Sequence, residues 1–211
     1  MTRIEFLSFA AMSILGLFAG YAHATAEMDF WNWFQRNDEA LFNFESDREA
    51  IFDQLTNEMH KVHPSLTFEF GPKSDGRREF VISADGIREA FPKVESLYAA
   101  APDLSHWKLI RFRPRRPPLD VQYGGILVEA DTVRLSLQHE GKKVGITVYL
   151  PNYTETSKKT YTGIAFLFLD HALGEYDVET RVGSIEVKSA SLVDTKTWSL
   201  SELPKAFDSY L

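Results

Sequence analysis

The sequence contains no cysteine among its 211 residues. This absence excludes disulfide bonds, a catalytic thiol, zinc fingers and iron–sulfur clusters. Positive charge is also scarce, because 23 Lys and Arg stand against 30 Asp and Glu, giving a formal net charge of -7. Nucleic-acid-binding domains are usually basic. We therefore expect no nucleic-acid partner.

Local catalytic motifs are absent too. The sequence has no G-x-S-x-G nucleophile elbow, no G-x-x-x-x-G-K-[ST] phosphate loop, no G-x-G-x-x-G fingerprint and no H-E-x-x-H metal motif. A catalytic group assembled from distant residues needs no such motif, so enzymatic activity stays open. The absence favours a non-enzymatic protein that uses no cofactor.

The N-terminal residues have the pattern of a secretory signal peptide. Arg3 supplies positive charge, residues 6–18 are uncharged and apolar, and two overlapping A-x-A sites end at Ala24 and Ala26. The apolar stretch is short for a membrane span, and no later segment qualifies as one. We predict a signal peptide at residues 1–26 and a periplasmic or secreted mature chain without a membrane span. A translation start at Met28 would instead give a cytoplasmic protein.

Two segments, roughly residues 66–113 and 133–188, repeat one order of predicted elements. In each, two strands of alternating apolar and polar residues flank a turn, a helix follows, and a last strand closes the segment. The closing strands are predicted at residues 107–113 and 182–188, and a linker at residues 114–125 joins the segments. Residues 27–211 are therefore predicted to form a single α+β domain. We expect a mostly antiparallel sheet, helices mainly on one face and an N-terminal helical segment.

Two other clusters have simple structural explanations. The aromatic run at residues 30–34 is predicted to pack in a core, although a carbohydrate-stacking surface is the alternative. His60 and His63 are spaced to share a metal ion, but no further ligands are indicated, and both lie near a predicted helix end that favours positive charge. No metal site is predicted.

The richest acidic stretch, here called the acidic segment, covers residues 170–179. Asp170, His171, Glu175 and Asp177 are its candidate catalytic residues, because a group of carboxylates and an imidazole can transfer protons. If the segment were extended, Glu175, Asp177 and Glu179 would share one side and could attract a divalent cation. The alternative is a solvated acidic loop.

The basic counterpart, here called the arginine strip, covers residues 111–116. Its four arginines, Arg111, Arg113, Arg115 and Arg116, are candidate ligand-binding residues, because guanidinium groups bind carboxylate or phosphate in a forked geometry. Strand alternation predicts that Arg111 and Arg113 emerge on the face opposite the core. The alternative is intramolecular, with these arginines neutralising the acidic segment.

Four stretches of the chain resemble an uncharacterised bacterial protein family. These are Phe30-Trp31-x-Trp33-Phe34, Phe68-Glu69-Phe70-Gly71-Pro72, Phe112-Arg113-Pro114-Arg115-Arg116 and Leu169-Asp170-x-Ala172-Leu173-Gly174-Glu175-Tyr176-Asp177. The resemblance implies no activity and no catalytic residues.

Together these observations favour an exported, non-enzymatic binding or protein-interaction module. Its partner would be another protein or a small anionic ligand that contacts the arginine strip. The alternative is a metal-assisted hydrolase that uses the acidic segment.

Overall fold

A computed structural model describes residues 25–193 and 195–211 of the chain. The predicted signal peptide lies outside the described residues except for Thr25 and Ala26. Thr25 precedes the first helix, and its hydroxyl accepts a hydrogen bond from the Met28 amide at 3.3 Å. This contact is the N-cap that satisfies one of the unpaired amides at the start of a helix.

The structure confirms the mixed α+β class. The described helices are α1 (Ala26–Arg36), α2 (Asp38–Phe42), α3 (Arg48–Val62), α4 (Phe91–Ala99), α5 (Lys158–Leu173), α6 (Glu175–Arg181) and α7 (Leu203–Asp208). The strands are β1 (Thr67–Ser74), β2 (Arg77–Ser83), β3 (Trp107–Arg111), β4 (Val121–Tyr123), β5 (Ile126–Val128), β6 (Arg134–Glu140), β7 (Lys143–Leu150) and β8 (Val182–Ser189). No helix of the described residues is long and apolar enough to cross a membrane.

The repeated order of elements is confirmed, and each repeat builds its own sheet. The first unit has the strand order β1-β2-β3, and the second has the order β6-β7-β8. In both, the first two strands pair antiparallel as a hairpin and the third pairs parallel with the second. The third strand runs parallel because a helical connection carries the chain back to the starting end of the sheet.

The core of the first unit is aromatic. The Phe34 ring of α1 lies 5.0 Å from the Phe80 ring and 4.9 Å from the Trp107 ring, measured between centroids. The Trp31 indole is buried and donates a hydrogen bond to the Leu97 carbonyl at 2.7 Å. The aromatic run at residues 30–34 therefore contributes to the core, as predicted, and the N-terminal helices complete this unit.

The core of the second unit is mainly aliphatic. The β6–β7 hairpin buries Leu135, Ile146 and Val148 against α5, which supplies the helical stripe expected from the sequence. Phe207 of α7 packs into the same cluster. The two units thus share a strand order but have separate hydrophobic cores.

The predicted closing strand of the first unit was wrong in its end and in its face. Strand β3 stops at Arg111, because Phe112 takes a left-handed conformation with φ of 61°. Pairing of Leu109 with Phe80 and of Arg111 with Ile82 places Arg111 on the helix-bearing face of the sheet. Arg111 and Arg113 therefore do not emerge from one strand on one face.

The predicted linker at residues 114–125 contains regular structure. Strand β4 lies within it and pairs antiparallel with β5. A Cβ placed on Gly163 of α5 would lie 2.7 Å from the Tyr123 ring, so the strand and the helix are in close contact. The segment that joins the two units is thus itself packed on the second unit.

Candidate functional site

The turn between α5 and α6 lies against the chain that leaves the first unit. Gly174 connects the two helices with φ of 78° and ψ of 151°, a conformation that essentially only glycine adopts. A Cβ on Gly174 would lie 2.9 Å from the Arg113 carbonyl oxygen and 3.2 Å from the Arg115 amide nitrogen. Two hydrogen bonds join the segments: the Arg116 amide donates to the His171 carbonyl at 2.7 Å, and the Glu175 amide donates to the Arg113 carbonyl at 3.0 Å.

The Glu175 carboxylate of the second unit forms hydrogen bonds with the first unit. Its side chain is completely buried, and it accepts backbone hydrogen bonds from Ala84 at 3.0 Å, Gly86 at 3.1 Å and Arg113 at 3.1 Å. A buried carboxylate is tolerated when several donors satisfy it. These contacts give Glu175 a structural role at the boundary between the units.

The remaining candidates of the acidic segment lie in different surroundings. The condition for a shared acidic side is not met, because residues Glu175–Arg181 form a helix and carboxylates at alternate positions point to different sides. Asp177 lies 2.7 Å from Arg115 and 3.1 Å from Arg181. Asp170 and His171, one turn before α6, instead face a cleft between the units.

The Arg115 side chain forms ion pairs and a hydrogen bond with other residues of the chain. Its Nη2 lies 2.7 Å from both Asp177 and Asp208, its Nη1 is 2.9 Å from Asp208, and its Nε donates to the Leu173 carbonyl at 3.2 Å. Hydrogen bonding to Asp208 is the main cause that raises the Arg115 pKa above its ordinary value. The intramolecular alternative for the arginine strip thus holds for Arg115.

Arg113 is also engaged by carboxylates of the chain. Its Nη2 lies 2.7 Å from Asp85 and 4.0 Å from Asp170, and its Nε lies 3.8 Å from Glu69. That Nε is buried and has no hydrogen-bond partner in the described structure. Arg113 therefore forms one wall of the cleft while most of its charge is balanced from within.

Arg116 and Arg111 differ from these two. Arg116 donates through Nη2 to Glu79 at 2.6 Å, whereas its Nε and Nη1 make no hydrogen bond with the described residues. Its side chain is 27% exposed and lines the cleft. Arg111 is exposed outside the cleft, with its guanidinium carbon 6.0 Å from the Tyr98 ring centroid.

The cleft between the units, here called the boundary cleft, has a volume of about 550 Å³. One part of its wall is apolar and comes from three separate segments: Phe70, Pro72, Pro114, Pro117, Leu119 and Leu167. Leu119 is 59% exposed and Leu167 is 43% exposed, so both offer apolar surface to a ligand in the cleft. The polar part consists of Glu69, Arg113, Arg116, Asp170 and His171. The boundary cleft thus combines apolar contact area with a few convergent polar groups, as ligand sites do.

Asp170 is the most perturbed acid in this cleft. Burial raises the pKa of Asp170 to about 6, against the opposing effect of the nearby Arg113 charge. The side chain is 29% exposed and accepts no hydrogen bond from the described residues. A carboxyl group that changes charge close to neutral pH, within a cleft, is typical of functional sites.

Sequence reasoning found the arginines and Asp170 but missed the apolar wall. The available signal for the apolar wall was the position of Leu167, an apolar residue that lies outside the buried stripe of α5. Within the described part of the chain, no three His, Asp or Glu side chains gather in a group that could hold a metal ion.

The fold and this cleft define an α+β protein with two units of like topology and a candidate binding site between them. No family model, curated protein or solved structure matches this chain. The resemblance to an uncharacterised bacterial family stays a prediction.

Proposed function

We propose that this chain is a non-enzymatic binding module whose ligand enters the boundary cleft. The ligand carries an anionic group, which binds Arg116, and an apolar portion, which packs against Pro114, Leu119 and Leu167. The observation that carries the proposal is that, toward the described residues, Arg116 donates a hydrogen bond through one of its three side-chain nitrogens. Its other two nitrogens are donors available for an anion beside an apolar wall.

The charge of Arg116 and the partial exclusion of water from the boundary cleft together favour binding of an anion. Glu79 balances Arg116 on one side but also binds Lys108 at 2.9 Å, so its charge is shared between two cations. A charged hydrogen bond is stronger where water is partly excluded. Apolar contact adds roughly 25 cal/mol per Å² of buried surface.

Asp170 makes this binding depend on pH. Its carboxylate repels an anion bound nearby, and the repulsion ends when the group is protonated, below a pKa of about 6. An anionic ligand is therefore expected to bind more tightly at pH 5 than at pH 7.5.

The arrangement of the acidic segment supports binding over metal-assisted hydrolysis. Of the four candidate catalytic residues, Glu175 accepts hydrogen bonds that join the two units. Asp177 forms an ion pair with Arg115. Asp170 and His171 alone reach the cleft. Two of the four candidate residues are thus engaged by other groups of the chain, which favours binding over hydrolysis.

Calorimetric titration with three probes tests the proposal. Octanoate carries the anion and the apolar chain, octylamine reverses the charge, and acetate lacks the chain. We expect octanoate to bind best and Arg116→Gln to weaken it roughly tenfold, the loss of one charged hydrogen-bonded contact. Arg111→Gln is the matched control and should leave binding unchanged.

Equal binding of octanoate and octylamine would contradict the proposal. So would an equal loss for the two arginine variants, or no binding of octanoate at all. Circular dichroism of each variant separates a lost contact from a lost fold.

We also propose that the protein is exported, on the basis of the N-terminal pattern. A mature chain that starts at Thr25 would keep the N-cap of α1, whereas one that starts at Glu27 would lose it. N-terminal sequencing of protein from the native host distinguishes these starts. An intact Met1 or a start at Met28 would argue against export.

A further inference from the structure

The outer face of α5 is apolar in the middle of the helix. Phe166 and Leu167 are both exposed there, while the opposite face is buried in the core of the second unit. Gly163 lies one turn earlier on the same outer face, and a Cβ at this position would lie 2.7 Å from the Tyr123 ring. Surface helices usually place charged and polar residues opposite their buried face. The outer face of α5 therefore offers apolar surface for a further group to cover.

A second apolar element, residues 119–123, runs beside this face. Tyr123 contacts Gly163, whereas Leu119 lines the boundary cleft together with Leu167. The segment thus runs antiparallel to α5, from the boundary cleft toward the start of the helix. Leu119 and Tyr123 are also exposed. The strip that these two elements form is here called the apolar track, and it consists of Leu119, Tyr123, Phe166 and Leu167.

The apolar track begins beside a cation. Arg116 lines the boundary cleft, and its amide donates a hydrogen bond to the His171 carbonyl at 2.7 Å, close to the end of α5. His171 and Gly163 are eight residues apart in this helix, which corresponds to about 12 Å at the usual rise per residue. The track therefore leads from the anion-binding position at Arg116 to the Tyr123 ring over this length.

The charges of the boundary cleft favour a ligand with a single negative charge. Glu69 and Asp170 line the same cleft as Arg116, and Glu79 lies 2.6 Å from Arg116. These carboxylates repel a doubly charged phosphate monoester more strongly than they repel a carboxylate. A carboxylate is thus the anionic group that the cleft accommodates best.

We propose that the ligand is a free long-chain fatty acid, with its carboxylate at Arg116 and its alkyl chain along the apolar track. This inference deepens the proposed function and rests on it, since both place the anion at Arg116. A C–C bond of about 1.5 Å and a bond angle of about 111° advance an extended chain by about 1.25 Å per carbon. Octanoate then ends about 9 Å from its carboxylate carbon, before Tyr123, whereas dodecanoate reaches about 14 Å and covers the track.

Calorimetric titration of the full chain at pH 7.5 with octanoate, dodecanoate and tetradecanoate, each below its critical micelle concentration, tests the chain length. We expect dodecanoate to bind roughly tenfold more tightly than octanoate, because burial of each methylene strengthens binding by up to about fourfold. Tetradecanoate should gain little more, because its chain extends past Tyr123. Dodecyl phosphate should bind more weakly than dodecanoate.

Tyr123→Thr removes the ring at the far end of the track. It should weaken dodecanoate roughly fivefold and leave octanoate unchanged, because only the longer chain reaches Tyr123. Leu127→Thr is the matched control, because Leu127 is exposed in the same hairpin but pairs with Gln122 and points to the other face. Phe166→Gln, on the exposed face of α5, should also weaken dodecanoate and serves as a second variant if Tyr123→Thr does not fold.

Dodecanoate that binds no better than octanoate overturns the assignment to a long-chain fatty acid and leaves the proposed function intact. Absence of binding by every anion overturns both. Equal losses for Tyr123→Thr and Leu127→Thr, or tighter binding of dodecyl phosphate than of dodecanoate, overturn the fatty-acid assignment as well.

Two other occupants of the apolar track would give different results. A second copy of the chain would cover it in a dimer that sedimentation velocity detects without ligand and that Phe166→Gln abolishes. A membrane surface would retain the chain on vesicles of phosphatidylcholine and phosphatidylglycerol, and Phe166→Gln would release it. Either result overturns the proposal, whereas a monomer that ignores the vesicles and gains affinity with chain length supports it.

Discussion

The two units have the same topology but differ in their hydrophobic cores and in their crossover helices. The first buries Phe and Trp rings from its sheet and from the N-terminal helices, whereas the second buries mostly Val, Ile and Leu against α5. Their crossovers differ as well, because α4 is a single helix of 9 residues and α5 of 16 residues is followed directly by α6.

The difference shows where the chemistry of this protein lies. Helix α6 has no counterpart in the first unit, and it carries Glu175 and Asp177. The segment after β3 has no counterpart in the second unit, and it carries Arg113 and Arg116. Part of the contact between the units and part of the cleft wall therefore come from elements that the shared topology does not repeat, whereas β1 and α5 supply the rest of the wall.

The largest effect should come from Glu175→Ala. Three backbone amides of the first unit and its linker lose their acceptor in a buried place, so we expect the free energy of unfolding to fall by about 3 kcal/mol. Urea denaturation measures the loss. Glu95→Gln on the exposed side of α4 is the control, with a change within about 0.5 kcal/mol. Equal midpoints for the two variants would show that Glu175 does not hold the units together.

Gly174→Ala should lower the free energy of unfolding by about 2–3 kcal/mol. The backbone conformation at residue 174 is unfavourable for alanine, and the new Cβ would press on the Arg113 carbonyl oxygen at 2.9 Å. Gly141→Ala also has a positive φ but meets nothing within 4 Å, so it should cost about 1 kcal/mol. Thermal unfolding of both variants isolates the effect of close approach, and identical melting temperatures would refute it.

Arg115→Gln should lower stability by about 1 kcal/mol, because two carboxylates lose a common partner at a partly buried position. The loss should shrink in high salt, which screens the pairs that remain accessible to solvent. Arg111→Gln, outside the contact between the units, should change the urea midpoint little at any salt concentration. A loss for Arg111→Gln as large as that for Arg115→Gln would contradict the assignment of roles.

The last effect, no larger than that of Arg115→Gln, is the dependence of stability on pH. The pKa of Asp170 rises from 3.8 to about 6 on folding, so its contribution to stability is full below pH 4 and is lost as pH rises through 6. Relative to Asp170→Asn, the wild type should thus lose about 1 kcal/mol between pH 4 and pH 7.5, after allowance for solvent screening. Urea midpoints of both proteins at the two pH values measure this. A constant difference between them would contradict it.

The strand and helix patterns of both units could be predicted from the sequence, because alternation in β1, β2, β6 and β7 and the stripe in α5 are local signals. The end of β3 could not, because a left-handed Phe112 has no sequence signature. Helix α6 was missed since seven residues with only Tyr176 and Val178 as large apolar side chains show no clear period.

The candidate site was predictable only in part. Opposite charges suggested contact between the arginine strip and the acidic segment, and Arg115 makes that contact with Asp177. The cleft itself joins Glu69 of β1, Leu119 of the linker and Leu167 of α5, which lie far apart in sequence. Only the packing of one unit on the other brings them together.

A titration of the ¹⁵N-labelled protein with octanoate, followed by NMR, tests binding in the boundary cleft directly. If the ligand binds there, the largest amide shift changes occur in residues 113–119 and 167–171, with little change in residues 185–189. Changes centred on residues 185–189, or spread evenly over the chain, would contradict it.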